Sequence, residues 1–128
     1  MIRIELCVRE PGKKEIDFSL PFNVPELPKL GDYISVHRAN QGTPHTEDVV
    51  VRHVWWMLET PETRTTAEAG TERVGQLNKI FVECEMALGP YANDRWHETM
   101  LRYRTSGQPI EEFDVARVSV REKDLRGG

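Results

Sequence analysis

The sequence lacks the features that several classes of protein require. Its apolar runs are all much shorter than a membrane span. Residues 1–20 carry Glu and Asp where a signal peptide would need an unbroken apolar stretch, so we expect a cytoplasmic protein. Only two cysteines are present, Cys7 and Cys84, and neither lies in a C-x-x-C or Cys–His spacing. We therefore expect two reduced thiols and no metal site at the cysteines.

Positive charge is also scarce. The chain has 17 Lys and Arg against 21 Asp and Glu, which gives a formal net charge of -4. General binding to nucleic acid or to anionic membranes needs a basic face, so we expect neither as a partner. A chain of 128 residues with 38% hydrophobic and 30% charged residues is the size of one domain with a real core and a solvated surface.

Motifs for catalysis are missing as well. We find no Gly-x-Ser-x-Gly elbow, no phosphate-binding glycine loop and no dinucleotide fingerprint. The four histidines do not follow metal-binding spacings, and His45 near Glu47 and Asp48 is the nearest approach to a cluster. Loop residues of this kind are usually solvated. We expect no metal and no cofactor, and we favour a protein that is not an enzyme.

What the sequence does contain is strict alternation of apolar and polar residues. Ile2, Ile4, Leu6 and Val8 alternate with polar partners, and so do the apolar residues of several later segments. A period of two is typical of strands with one face on a core and one in water. This alternation points Cys84 inward and Cys7 outward. We predict strands at about 2–9, 15–20, 33–37, 48–59, 79–88 and 113–121.

Between the strands, turn residues and prolines set the connections. Glu10-Pro11-Gly12-Lys13 predicts a hairpin turn, and the three prolines within 21–30 predict an irregular crossing. Residues 38–47 read as a polar loop and residues 60–78 as a long, mobile loop.

Residues 93–104 admit two interpretations. Trp96, Met100 and Tyr103 are spaced as one helical face, with Asn93 or Asp94 as the cap. A strand with His97, Thr99, Leu101 and Tyr103 on one side is the alternative. We favour a short helix.

These elements predict a mainly β fold with one short helix. Six strands joined by tight turns and two longer loops favour a small, antiparallel, partly closed barrel. We place a single domain at 1–121 and an exposed tail at 122–128. The order of hairpin, proline-rich crossing, Gly31-Asp32, strand and hairpin resembles the small SH3-like barrels in general appearance.

The longest apolar segment, 48–59, supplies the main functional candidates. Unbroken alternation places Val49, Val51, His53, Trp55 and Met57 on one face and sends the Trp56 indole to the other. One indole would then anchor the core while the other is exposed at a contact surface, although both could be packing residues.

We hypothesise a binding or assembly module that forms a homodimer or binds another protein. We name as binding residues Arg52, His53, Trp55, Trp96 and Tyr103. The alternative is a small-ligand-binding protein or enzyme with a pocket at His53 and Trp55.

The C-terminal Leu125-Arg126-Gly127-Gly128 resembles the end of ubiquitin and related modifiers. In that family the terminal glycine carboxylate is activated and transferred, so the resemblance implies conjugation through Gly127 and Gly128. A β-grasp fold also needs a long helix directly after strand 2, where this chain has three prolines that would break one.

Overall fold

The computed structural model describes residues 1–37, 46–61, 73–113 and 115. It is mainly β with one helix, which confirms the predicted class. Its six strands form a curled, open sheet, or half-barrel, in the order β2-β1-β5-β4-β3, with β6 paired to the end of β5. The elements are β1 (Ile2–Arg9), β2 (Ile16–Val24), β3 (Tyr33–His37), β4 (Thr46–Glu59), β5 (Gln76–Leu88), α1 (Asp94–Thr105) and β6 (Glu111–Glu112).

The sheet is mixed. The β1–β2, β3–β4 and β4–β5 pairs are antiparallel, whereas β1 and β6 each run parallel to β5. The predicted strand at 113–121 differs from β6, which occupies Glu111–Glu112. Residues 114 and 116–121, the tail at 122–128, and most of the loops at 38–47 and 60–78 lie outside the described residues.

The first hairpin follows the sequence prediction at its turn and departs from it at its end. Gly12 has a φ of 76° after Pro11, and the Lys13 N–H donates to the Glu10 carbonyl oxygen over 3.1 Å. The predicted end of strand 2 at residue 20 is wrong, because β2 continues through Pro21 to Val24. Proline is tolerated there because β2 is an edge strand and needs no donor on its open side.

Helix α1 closes the concave face of the sheet. Asn93 caps it, with its side-chain oxygen accepting from the Trp96 N–H over 2.9 Å, as the sequence predicts. Trp96 and Met100 are buried in the same core as Leu6, Val51 and Val82. Among the described residues, no helix is long and apolar enough to cross a membrane.

A β-bulge in β4 overturns the predicted faces of that strand. Val51 pairs with Cys84 and His53 with Glu83, so Arg52 is an extra residue between them. Directly opposed residues share a face, and the extra residue therefore reverses the alternation beyond it.

As a result, each of the two indoles lies on the face of the sheet opposite to the one predicted. Val54 and Trp56 lie opposite the core residues Val82 and Ile80, whereas His53 and Trp55 lie on the convex face. The prediction that Val49, Val51, His53, Trp55 and Met57 share one face is wrong for the last three.

Cys7 lies on the face opposite the core, as predicted, but it is buried. It is opposed by Ser19 on one side and Glu83 on the other, and its Sγ lies 3.6 Å from the Ser19 hydroxyl. A central strand has neighbours on both sides, so their side chains shield the thiol. Neither Cys7 nor Cys84 forms a disulfide, and their side chains lie on opposite faces of the sheet.

Candidate functional site

A two-stranded ribbon begins at the core, where Ile80 is buried, continues beyond it and forms the main candidate site. It comprises residues 53–59 of β4 and 76–81 of β5, and we call it the β4–β5 arm. The two segments stay paired to Glu59 and Gln76, with a second irregularity between Met57 and Leu58. An isolated two-stranded ribbon is only marginally stable in water.

Large apolar side chains are exposed on both faces of the arm. Trp56 is 55% exposed although it lies on the core-side face, because that face extends past the core. Trp55 is 66% exposed on the convex face. The alternative in which both indoles are packing residues is therefore wrong. The exposed apolar residues of the arm are Trp55, Trp56, Met57, Leu58 and Leu77.

The β4 edge of the arm is open within the described part of the chain. Strand β3 accompanies β4 as far as the Tyr33–Val50 pair. Two further backbone hydrogen bonds, of Gly31 and Asp32 with Val51, end that pairing. From His53 to Glu59 the outer edge of β4 therefore offers N–H and C=O groups to another strand.

Charged side chains cover the convex face next to the arm. Arg9 pairs with Glu83, with Nη1 and Oε1 2.9 Å apart. Arg52 lies 3.5 Å from both Glu85 and Glu111, so the extra residue of the bulge is held by two carboxylates. These pairs cross a shallow groove that His53 also lines.

The structure divides the five predicted binding residues into two groups. Arg52, His53 and Trp55 lie together on the convex side of β4. Trp96 is 4% exposed in the core on the other side of the sheet, where a partner cannot reach it. Tyr103 is half-buried on α1, and burial together with the nearby Glu10 raises the pKa of its phenol.

A second concave site, which sequence reasoning missed, lies where β5 ends. A cleft of about 460 Å³ is lined by Tyr33, Asp48, Gly89, Tyr91 and Phe113, among others. Burial raises the pKa of the Asp48 carboxyl, while hydrogen bonds from Ser35 and the Gly89 N–H oppose that shift. No sequence signal joins these residues, because they come from strands β3 and β4, from the connection after β5 and from the segment after β6.

The other residues considered in the sequence analysis are His45 and the C-terminal diglycine. Within the described residues, no group of three His, Cys, Asp or Glu side chains is placed to hold a metal ion. His45, Gly127 and Gly128 lie outside those residues. The helix follows β5 rather than β2, unlike the β-grasp order.

Comparison of the chain with models of protein families, with curated proteins and with solved structures found no match.

Proposed function

We propose that this chain is a non-enzymatic binding and assembly module that dimerises through the β4–β5 arm. The observation that supports this function is the exposure of Trp55 and Trp56 on opposite faces of one ribbon. Tryptophan is prominent in interface hot spots, and a contiguous exposed apolar patch marks an interaction surface.

The free energy gained by covering the arm is of the same order as the cost of association. Removing about 100 Å² of apolar surface from water contributes about 2.5 kcal/mol. If each of the two indoles in each copy buries that much, the total is about 10 kcal/mol. This is comparable with the roughly 4–15 kcal/mol that association costs in lost freedom of motion, and Met57 and Leu58 add to it.

The proposed partner is a second copy, because the open β4 edge is complementary to itself. Antiparallel pairing of two β4 edges centred on Trp56 sets Trp56 opposite Trp56. The same register sets Val54 opposite Leu58 and Trp55 opposite Met57. Each exposed apolar side chain then has an apolar neighbour, and the two-fold symmetry closes the assembly as a dimer.

The ends of this pairing are complementary in polar character. His53 of each copy lies opposite Glu59 of the other, so an imidazole N–H meets a carboxylate acceptor. Each dimer contains this polar pair twice, at the two ends of the apolar centre. It favours the stated register over a shift by one residue, which would set Trp55 against Trp56 and leave Glu59 opposite Arg52 at the irregular bulge.

The alternative pocket at His53 has weaker support. Its nearest strong cation, Arg52, is already held by Glu85 and Glu111. A ligand carboxylate or phosphate would have to displace those two groups to use it.

Sedimentation equilibrium at high micromolar concentration tests the proposal. We expect a wild-type dimer and a Trp55→Glu variant shifted towards monomer, with its β signal in circular dichroism retained. Ile16→Glu is the matched control, because Ile16 is an exposed apolar strand residue on the far edge of the sheet. A monomeric wild type would overturn dimerisation, and an equal effect of both variants would remove the arm from the contact.

Cysteine cross-linking tests the register. Opposed residues of antiparallel strands have Cα atoms about 4.5–5.5 Å apart, which suits a disulfide. Trp56→Cys should therefore form a covalent dimer under mild oxidation. Leu58→Cys should cross-link far more slowly alone, but readily when mixed with Val54→Cys. The reverse pattern would contradict centring on Trp56.

A further inference from the structure

The cleft at the end of β5 has the composition of a site for an organic cation. Its floor is the carboxylate of Asp48, a residue only 2% exposed. Ser35 donates its hydroxyl to Oδ1 over 2.5 Å, and the Gly89 N–H donates to Oδ2 over 3.1 Å. A carboxylate has about four acceptor positions, so two donors leave acceptor capacity for a ligand.

The charge of this carboxylate is not balanced by a neighbouring cation. Within the described residues, Asp48 forms no ion pair with a Lys, Arg or His side chain. Burying an ionised carboxylate without a counter-ion is costly, and a bound cation would offset that cost. A second carboxylate, Glu111, accepts a hydrogen bond from the Tyr33 hydroxyl over 3.0 Å, but Glu111 is itself paired with Arg52. The Asp48 carboxylate would repel an anionic ligand.

The walls of the cleft are aromatic. The Tyr33 and Phe113 rings have centroids 5.6 Å apart and are tilted by 55°. Tyr91 also lines the cleft, and all three rings are well exposed. Aromatic faces attract ammonium groups, and rings that surround a cation act together. Val115 adds an apolar side chain that an alkyl chain would cover.

We propose that this cleft binds the ammonium group of a primary alkylamine, with the –NH₃⁺ group against Asp48 and the alkyl chain between the aromatic rings. A primary ammonium has three N–H donors for the free acceptors of Asp48 and for the Ser35 oxygen. A divalent metal ion suits the site less well, because the described residues do not supply the several oxygen ligands it needs. The volume of about 460 Å³ is within the range of small-ligand sites.

Gly89 gives the floor its geometry. A Cβ at this position would lie 2.8 Å from Asp48 Oδ2 and 3.2 Å from its Cγ. Because residue 89 is a glycine, its backbone N–H can approach the Asp48 carboxylate and fix the orientation of that carboxylate at the floor of the cleft. The Gly89 amide is consequently a direct reporter of what happens at Asp48.

Titration with n-butylammonium, followed by ¹H–¹⁵N NMR, tests the site. We expect saturable chemical-shift changes that include the Gly89 and Tyr91 amides. 1-Butanol has a similar shape without the charge, so it should bind at least about tenfold more weakly than n-butylammonium. Tetramethylammonium should also bind more weakly, because it lacks N–H donors. Equal affinity for 1-butanol, or absence of saturable shifts at these amides, would overturn the proposal.

Two variants keep the test independent of folding. Asp48→Asn removes the charge with little change of shape and should weaken butylammonium binding at least about tenfold. Phe113→Leu changes a half-exposed ring and should weaken it several-fold. The native spectrum of each variant verifies the fold, and unchanged affinity in both would refute the site.

The natural source of the amine is distinguished by a second probe. Nα-acetyl-lysine N-methylamide carries the same ammonium group on a peptide-like unit. Binding at least as tight as that of butylammonium would assign the cleft to a lysine side chain. Clearly weaker binding would assign it to a free amine, and both results require the same Asp48 dependence.

Discussion

The indole N–H of Trp96 donates a hydrogen bond to the backbone carbonyl oxygen of Ala87 over 2.9 Å. Both residues are buried, so the bond fixes the first turn of α1 to the last residues of β5. A tryptophan that the sequence offers as a surface contact is therefore the link between the helix and the sheet.

Replacing Trp96 by Phe should lower the free energy of unfolding by about 1–3 kcal/mol. The substitution leaves the Ala87 carbonyl without its donor and removes part of a buried side chain. Urea unfolding measures the change. Arg95→Ala, on the exposed side of the same helical turn, should stay within about 0.5 kcal/mol. Equal losses would mean that the buried Trp96–Ala87 contact contributes no more to stability than an exposed side chain does.

Val82→Ala should destabilise the monomer more than Trp56→Ala does, although the tryptophan is far larger. Val82 is fully buried, and its truncation leaves a cavity that should cost about 1.5–3 kcal/mol. Trp56 is about half exposed, so its loss should cost less than about 1 kcal/mol at a concentration where the chain is monomeric. Thermal unfolding in dilute solution compares them, and the opposite order would place Trp56 in the core.

Alkylation should show both thiols to be unreactive in the native protein. Burial raises the pKa of Cys84 to about 12, so almost none of it is thiolate at pH 8, and Cys7 is equally inaccessible. Mass spectrometry after iodoacetamide treatment should find no label in the native chain and two labels in urea. Rapid native labelling of Cys84 would contradict its burial.

The stability of the protein should fall relative to Asp48→Asn as pH rises from about 4 through the raised pKa of Asp48. Burial raises the pKa of Asp48 above its ordinary value of 3.8, so the folded state holds this proton more tightly than the unfolded state. That contribution is fully present below the unfolded pKa and is lost as pH passes through the folded pKa. Urea unfolding of both proteins across this range measures the difference, and a constant difference would show that Asp48 is not desolvated.

Local signals predicted the parts of this fold that local interactions determine. Strands β1 and β3 have the predicted boundaries, and Asn93 caps the predicted helix, because alternation and capping depend on near neighbours in the chain. The end of β2 was missed because a proline is compatible with an edge strand, and the sequence does not reveal which strands are edges.

The sites depend on longer-range information. Exposure of the two indoles follows from how far β4 and β5 extend past the core, and the choice of face follows from the bulge at Arg52. The cleft joins Tyr33, Asp48, Gly89 and Phe113 only through the pairing of β3, β4 and the end of β5. Neither the exposure of the indoles nor the assembly of the cleft can be predicted from composition or from the spacing of residues in the sequence.

The bulge at Arg52 also makes this strand tolerant of a change in length. Deleting residue 52 would leave His53 opposite Glu83, with Trp56 still opposite Ile80, because the bulge already absorbs one residue without a partner. A deletion between the bulge and Trp55, with the bulge kept, would instead turn Trp55 to the side that Trp56 now occupies. The residue at position 52 can thus be lost while the same indole faces each side.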